Sequence, residues 1–222
     1  MSERIESLLV RLGYGSRREL RPLMSRLTQK GLPVALGDRV DPTQVALDGV
    51  PLPYPLGIVL LHHKRVGTTV TMAVNEGVRT FDDLPDPWRA RGVFAVGRLD
   101  RDTTGAILFT DRGDWSQKWT HPKHHVDKTY RVVLDAPVGE AEAQRCRQGL
   151  TLSDGPCRPA TLVPGDGTMA TITVAEGRTH QVKRMMHALG REVLELHRLQ
   201  FGPYALGDLA EGETVVVEPP GV

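Results

Sequence analysis

The chain has 222 residues, of which 40% are hydrophobic and 25% charged, so it can form a packed core and lacks the composition typical of disorder. Its longest apolar runs are too short to cross a bilayer, and its charged N-terminus lacks the apolar block of a signal peptide. Two cysteines, Cys146 and Cys157, are too few for a disulfide framework. These features exclude membrane-embedded and disulfide-rich classes and predict a cytoplasmic protein with reduced thiols.

The net charge of +1 conceals a grouped distribution of charge. Residues 1–31 hold seven Lys or Arg against three Asp or Glu, and residues 112–131 hold five against two, with three histidines. A local basic patch matters more for phosphate binding than the sum over the chain. The two patches therefore keep nucleic acid open as a partner.

The first fifty residues combine helix signals with basic side chains. Apolar residues at helical spacing predict a helix over 3–13. Ser16, followed three positions later by a glutamate, predicts the start of a second helix that exposes Arg17, Arg18 and Arg21. We interpret these arginines as phosphate contacts, and a solvated basic helix is the structural alternative.

Three prolines between residues 51 and 55 predict a boundary between a small domain, 1–53, and a larger one, 57–222. The larger part is rich in short β-branched segments and carries three helical patterns. We predict an α+β fold with a mostly antiparallel sheet. The predicted strands are 57–63, 68–74, 94–100, 105–111, 128–135, 157–164, 169–177, 192–202 and 213–219, and the predicted helices are 114–121, 139–150 and 180–190.

The stretch GRLDRDTTG, residues 97–105, places two aspartates between apolar runs. Asp100 at the end of a predicted strand could act as a nucleophile, a general base or a metal ligand. Asp102 and Thr103 suit a turn, because their side chains bond nearby backbone amides. Both aspartates forming a turn is an equally good interpretation of these residues alone.

The predicted helix over 180–190 carries a cationic stripe of His180, Lys183 and His187, with Arg184 beside it. Such a stripe binds phosphate, pairs with a carboxylate or simply faces solvent. Thr179 is the expected N-cap of this helix.

The segment 121–130, HPKHHVDKTY, is the second basic patch. The spacing of its histidines matches no common zinc site, so we interpret Lys123 and Lys128 as phosphate contacts and predict no metal. Tyr130 is either a core residue or a platform that stacks on a base. The chain also lacks a Walker loop and a GxGxxG pattern, so no nucleotide cofactor is indicated.

Three motifs, GRLDRDTTG, KTYRVVL and EGRTHQVKRM, resemble in order and separation those of the RsuA/RluB/RluE/RluF family of ribosomal RNA pseudouridine synthases. The resemblance runs from about residue 57 to 219. It implies the pseudouridine synthase fold, with a small N-terminal RNA-binding domain of the S-four ribosomal type. It also implies that Asp100 is the essential aspartate, that Tyr130 packs on the target base and that Lys183 pairs with Asp100.

The resemblance also implies how the chain meets its substrate. Arg98 matches the arginine beside the essential aspartate. The chain departs from the family at residues 62–67, where HHKRVG replaces a common Asn-Lys-Pro sequence and retains only Lys64 of it. The substrate or RNA contacts expected are Arg98, Thr103, Arg178, His180, Arg184, Lys64, Lys123, Lys128, Arg17, Arg18 and Arg21.

The expected activity is isomerisation of a uridine in ribosomal RNA to pseudouridine, by a monomer without cofactor. The segment HPKHHVDKTY resembles the small-subunit branch, so 16S rRNA is the expected substrate. Three alternatives stay open: a large-subunit 23S synthase of the same family, a non-catalytic rRNA-binding or ribosome-assembly protein, and a Mg²⁺-dependent phosphatase of the haloacid-dehalogenase type, whose D-x-D-x-T motif resembles residues 100–104.

Overall fold

The computed structural model describes residues 2–73, 77–86 and 88–219. In the first fifty residues a four-stranded sheet of order β3-β2-β5-β6 lies beside a separate β1-β4 pair. The elements of this part are β1 (Glu3–Arg4), α1 (Ile5–Arg11), a 3-10 helix (Arg21–Arg26), β2 (Leu27–Gln29), β3 (Leu32–Pro33), β4 (Arg39–Val40), a 3-10 turn (Pro42–Gln44), β5 (Val45–Leu47) and β6 (Val50–Pro51).

The hydrophobic residues of this N-terminal part pack on one another. Ile5, Leu8 and Leu9 of α1 are fully buried in a cluster that draws all its fully buried members from residues 5–52. The first predicted helix is therefore confirmed, and its apolar face is the one the spacing indicates. This separate cluster is consistent with the domain boundary that the prolines predict.

The predicted second helix is wrong as an α-helix. Ser16 does meet Glu19, with its amide and its hydroxyl each donating to the Glu19 carboxylate at 2.7 Å. These bonds close a turn, and a 3-10 helix follows, with Pro22 near its start. Proline has no N–H to donate and restricts the residue before it, so the α-helical ladder does not form here. The arginines of this segment are nevertheless exposed, as expected.

The larger part is built on a nine-stranded sheet. Its main path runs β13-β14-β10-β15-β9-β7-β17, with β8 beside β9 and β16 beside β15, and its pairs are antiparallel except β9 with β15. The elements are β7 (Val59–Lys64), a 3-10 turn (Thr80–Asp83), β8 (Phe94–Val96), β9 (Thr104–Thr110), α2 (Gly113–Thr120), a 3-10 turn (Pro122–His124), β10 (Lys128–Leu134), α3 (Glu140–Gln148), β11 (Thr151–Leu152), β12 (Gly155–Pro156), β13 (Thr161–Pro164), β14 (Met169–Val174), α4 (Gln181–Ala188), β15 (Val193–Phe201), β16 (Tyr204–Ala205) and β17 (Thr214–Val217). The predicted α+β class is confirmed. Within the residues described, the helices are all too short or too polar to be candidates for crossing a membrane.

Both faces of the sheet are buried, and successive side chains of a strand point to opposite faces. On β7, Leu60 points into the larger hydrophobic cluster, which includes α3 and α4 residues, while Val59 and Leu61 point into a second cluster with Trp119 of α2. Successive strand residues face opposite sides, so one strand serves both cores. Helices on both faces fix the sheet on which the loops described below are mounted.

Two local predictions fail. The predicted strand 68–74 is absent over its described part, 68–73; Thr69 makes only an isolated bridge to Arg79. Thr71 explains this, since its amide bonds to the Thr69 carbonyl and its hydroxyl accepts from Ala73, a local pattern that competes with a ladder. Residue 74 lies outside the described residues. The N-cap of α4 is His180, at φ 49°, and not Thr179.

One glycine determines how the centre of the sheet is assembled. Gly105 has φ +103°, and a Cβ there would lie 2.3 Å from the backbone oxygen of Arg198. Gly105 and Arg198 are register partners in the parallel β9–β15 pair. Only glycine allows this approach, which brings the start of β9, and the aspartate loop before it, against β15.

Candidate active site

A cavity of about 410 Å³ opens beside the β8–β9 loop. The residues lining it come from elements far apart in the chain: the loop over 97–103, β10, the turn into α4 and the end of β15. Those that matter for the chemistry are Asp100, Thr103, Tyr130, His180, Arg198 and Phe201. The fold therefore brings all three sequence motifs to one cavity.

Asp100 sits in the turn that enters β9, where the Thr103 amide donates to the Asp100 carbonyl at 3.1 Å. Its side chain is 30% exposed and lies at the cavity wall. Two nitrogen atoms from the start of α4 lie near it: His180 Nε2 is 3.5 Å from Oδ1, and Lys183 Nζ is 3.6 Å from Oδ2. The carboxylate is thus fixed next to open space and keeps oxygens free for a ligand.

Lys183 makes its short contacts with the other aspartate of the motif. Its ammonium donates to both oxygens of Asp102, at 2.6 and 2.7 Å. This bond lowers the pKa of Asp102 below its usual range. Assigning Lys183 to Asp100 alone is therefore inaccurate, because the ammonium lies between the two carboxylates and is closer to Asp102. Asp102 also does more than shape the turn: it ties the loop to α4.

Tyr130 is a core residue that also forms part of the cavity wall, and its stacking on a base stays a prediction. It is 8% exposed and belongs to the larger hydrophobic cluster, yet it also lines the cavity. Its hydroxyl accepts a hydrogen bond from Nη1 of Arg198 at 3.4 Å. A ring held in this way offers a fixed surface to a planar ligand.

Arg198 is the site residue that sequence reasoning missed. It is 1% exposed and lines the cavity, as does half-buried Lys128. The sequence feature that could have identified it is a charged residue on the buried face of a strand. Arg198 follows Leu196 by two positions on β15, so both side chains point to the same face, and both are buried. An arginine in that phase needs a partner or a function.

Lys64 lies beneath the aspartate loop and not on the wall of the cavity. It is fully buried, and its ammonium donates to the carbonyl oxygens of Arg65, Arg101 and Thr103 at 2.9, 3.3 and 2.9 Å. Burial lowers the pKa of Lys64 to about 8. Lys64 therefore holds the backbone of the aspartate loop, and a contact of Lys64 with the substrate stays a prediction.

The remaining predicted contacts fall into separate groups. Arg98 is exposed at the cavity, and Arg178 lines it while donating to Asp154 and to carbonyls of the β11–β12 hairpin. Arg184 pairs with the same Asp154 at 2.5 Å. Lys123 lies on an exposed turn outside the lining of this cavity.

The histidines of the second basic patch lie in the exposed segment between α2 and β10. His121 and His124 stack edge to face, with ring centroids 5.9 Å apart. Over the part of the chain that the structure describes, His, Cys, Asp and Glu side chains do not gather in groups of three that could hold a metal ion.

Comparison with known proteins identifies the family of the chain. A family model for RNA pseudouridylate synthase matches residues 58–188. The ribosomal small subunit pseudouridine synthase A of Pasteurella multocida (strain Pm70) is 42% identical over 176 residues, which cover 77% of this chain and 75% of that protein. The protein of the same name from Escherichia coli (strain K12) is 45% identical over 136 residues, which cover 60% of this chain and 58% of that protein. A solved structure of a pseudouridylate synthase superposes with a TM-score of 0.68 at 30% identity, covering 97% of this chain and 96% of that one.

An RNA-modifying isomerase is thus the class that fold, cavity and relatives define together. The chain belongs to the RNA pseudouridylate synthase family. The resemblance drawn from the three motifs and the expected enzyme class are confirmed. The phosphatase alternative does not fit, because its motif follows a strand of a doubly wound parallel sheet, whereas Asp100 lies between β8 and β9, which pair antiparallel.

Proposed function

We propose that this chain isomerises a uridine of small-subunit ribosomal RNA to pseudouridine, with Asp100 as the catalytic residue. The observation that carries the proposal is the convergence of Asp100 and Tyr130 on one cavity, with Lys183 3.6 Å from the carboxylate. The relatives from P. multocida and E. coli are both named for the ribosomal small subunit, which supports the RNA class.

The proposed reaction breaks the bond from uracil N1 to C1′ of the ribose, turns the base and joins C5 to C1′. Breaking this bond leaves C1′ electron-deficient. A carboxylate beside C1′ stabilises that charge, bonds to the carbon or removes a neighbouring proton. Asp100 at the cavity wall is the carboxylate for this step, and Tyr130 is the surface that retains the detached base. The reaction is an isomerisation and requires no cofactor.

RNA binding has to supply energy, because the uridine must leave its helix at a cost of a few kcal/mol. We propose that residues 1–53 form a domain that contributes this energy through the exposed Arg17, Arg18 and Arg21. Arg98 and His180, both exposed at the cavity mouth, are the proposed contacts next to the target nucleotide. The proposed enzyme acts as a monomer in the cytoplasm.

The test is carbodiimide and primer-extension mapping of both ribosomal RNAs from a strain that lacks the protein. One stop in 16S rRNA should be missing, should return with the wild-type chain and should stay missing with Asp100→Asn. The control Asp166→Asn, at an exposed loop carboxylate, should restore it. A missing stop in 23S rRNA would show the large-subunit alternative, and binding of rRNA without any lost stop would show a non-catalytic protein.

A further inference from the structure

Arg198 is a buried cation for which the described residues supply no anion. Its Nε donates to the Ala106 carbonyl at 2.5 Å, and its Nη1 donates to the Tyr130 hydroxyl. Its Nη2 is buried without a hydrogen-bond partner among the residues described. A guanidinium cannot shed its proton in a protein, and burying an unpaired charge costs several kcal/mol. Such a group is retained where a ligand completes it.

A second cation lies beside it. Lys128 Nζ and Arg198 Cζ lie 5.1 and 5.0 Å from the centre of the Phe201 ring, and all three residues line the cavity. Burial and the Arg198 charge lower the pKa of Lys128 to about 8. Thr103, whose buried Oγ1 also has no partner within the described ranges, lines the same space. The cavity thus holds two cationic side chains, and two polar atoms, Arg198 Nη2 and Thr103 Oγ1, that have no partner among the residues described.

The exposed fractions of the lining side chains show which residues lie at the mouth of the cavity and which lie at its floor. The side chains of His180 and Asp100 are 59% and 30% exposed, whereas Arg198 and Phe201 are each 1% exposed. Asp100 has to meet the sugar, so the ribose lies near the mouth and the base lies deeper. The group that reaches Arg198 is then the uracil ring and not a phosphate.

Resting on the function proposed above, we propose that Arg198, assisted by Lys128, binds the uracil as it leaves C1′ and stabilises its negative charge. The electron pair of the N1–C1′ bond goes to N1 and spreads to O2 and O4, and C1′ is left electron-deficient opposite Asp100. After the base turns, C5 attacks C1′, the C5 proton passes to water and N1 is protonated. Preorganised donors in a site that excludes water stabilise such a developing charge without reorganisation.

The inference is tested by measuring, in single turnover, cleavage of the N1–C1′ bond in RNA that carries uridine or 5-fluorouridine at the target position. Fluorine withdraws electrons and stabilises the departing base without help from the protein. Arg198→Gln should slow cleavage of the uridine substrate roughly 100-fold, the effect of losing one such donor. The same variant should slow the fluorinated substrate far less, and binding of both RNAs should be unchanged. Arg131→Gln, an exposed arginine on β10, is the matched control and should behave as wild type on both.

Equal losses on the two substrates, or a loss confined to RNA binding, would overturn the inference and make Arg198 a structural or phosphate-binding residue. If thermal unfolding shows that Arg198→Gln is not folded, Lys128→Met replaces it in the test. This variant should slow cleavage of the N1–C1′ bond roughly tenfold on the uridine substrate and less on the fluorouridine substrate. A Lys128→Met variant without that difference would equally overturn it. Failure of the proposed function is distinguishable, since the wild-type chain would then form no pseudouridine at all.

Discussion

The cavity around Asp100 and the N-terminal segment, residues 2–53, both carry basic side chains but hold them differently. Lys64, beneath the aspartate loop, and Arg198, in the cavity wall, are both buried. Lys64 Nζ and Arg198 Nε donate to backbone carbonyls, and Arg198 Nη1 donates to the Tyr130 hydroxyl. In the N-terminal segment, Arg17, Arg18 and Arg21 are exposed and extend from turns and a 3-10 helix. The fold thus holds Lys64 and Arg198 in place, whereas Arg17, Arg18 and Arg21 remain in solvent.

The difference follows the two tasks of the proposed enzyme. Stabilising charge at a reacting atom requires groups placed within a few tenths of an ångström and shielded from water, which a sheet core provides. Contact with an RNA backbone requires only that positive charge be near phosphate, which exposed side chains provide. Changes in the two regions should therefore act on different observables.

The largest effect is expected where the sheet holds the aspartate loop against β15. Gly105→Ala places a Cβ on the Arg198 backbone and forces a positive φ, so it should destabilise the larger part by roughly 3 kcal/mol or more. Urea unfolding followed by tryptophan fluorescence measures this, because Trp88, Trp115 and Trp119 all lie in that part. The control Gly167→Ala has positive φ but open space around it, and should cost much less. Equal costs would mean that close approach is not the constraint.

The second-largest effect is expected from acid, which should lower the stability of the same larger part. Burial lowers the pKa of His62 to about 4, so the folded state stays neutral while the unfolded state binds a proton below about 6.5. Stability is therefore complete above pH 6.5 and is lost as pH falls towards 4, by about 3 kcal/mol from this group. His197 shifts in the same direction. The N-terminal segment has no histidine and should not share this loss.

Urea midpoints measured between pH 7.5 and 4.5 test this. His62→Gln should flatten the dependence, whereas His124→Gln, at an exposed position, should leave it as in wild type. A His62→Gln profile parallel to that of wild type would refute the role given to this imidazole.

A smaller effect, on binding alone, is expected in the N-terminal segment. Replacing Arg17, Arg18 and Arg21 by alanine should weaken rRNA binding roughly tenfold and make the slope of log K against log salt shallower by about 2. Single-turnover rates at saturating RNA should not change. Titrations at several salt concentrations measure both quantities. The matched triple variant from the larger part replaces exposed Arg145, Arg147 and Arg158, and should leave the slope unaltered. Identical slopes for the two triple variants would remove the N-terminal segment from RNA binding.

Local patterns in the sequence predict most of this fold. Short β-branched segments flanked by Gly or Pro predict most strands of the sheet. Helical spacing predicts α1 and α4, because burial of one face imposes that period. The second helix and the strand over 68–74 failed where Pro22 and the Thr71 hydroxyl change the local hydrogen bonding.

The site is predictable only in part, for a physical reason. Asp100, Tyr130 and His180 stand in motifs, and all three line the cavity. The pairing of Lys183 with Asp102 spans 81 positions, and that of Arg198 with Ala106 spans 92. Such contacts depend on which strands become neighbours in the sheet, and the spacing of residues along the chain does not reveal the strand order. The burial of Lys64 has the same origin, because two of its carbonyl partners lie 37 and 39 positions away.

The central claim is that the Asp100 carboxylate acts at the anomeric carbon of a uridine held in the cavity. Its most direct test is tritium release from rRNA carrying [5-³H]uridine, measured in single turnover for Asp100→Asn and wild type, with RNA affinity measured in parallel. The account predicts a loss of roughly 1000-fold or more in release at near-normal affinity. Release by Asp100→Asn at the wild-type rate would contradict it.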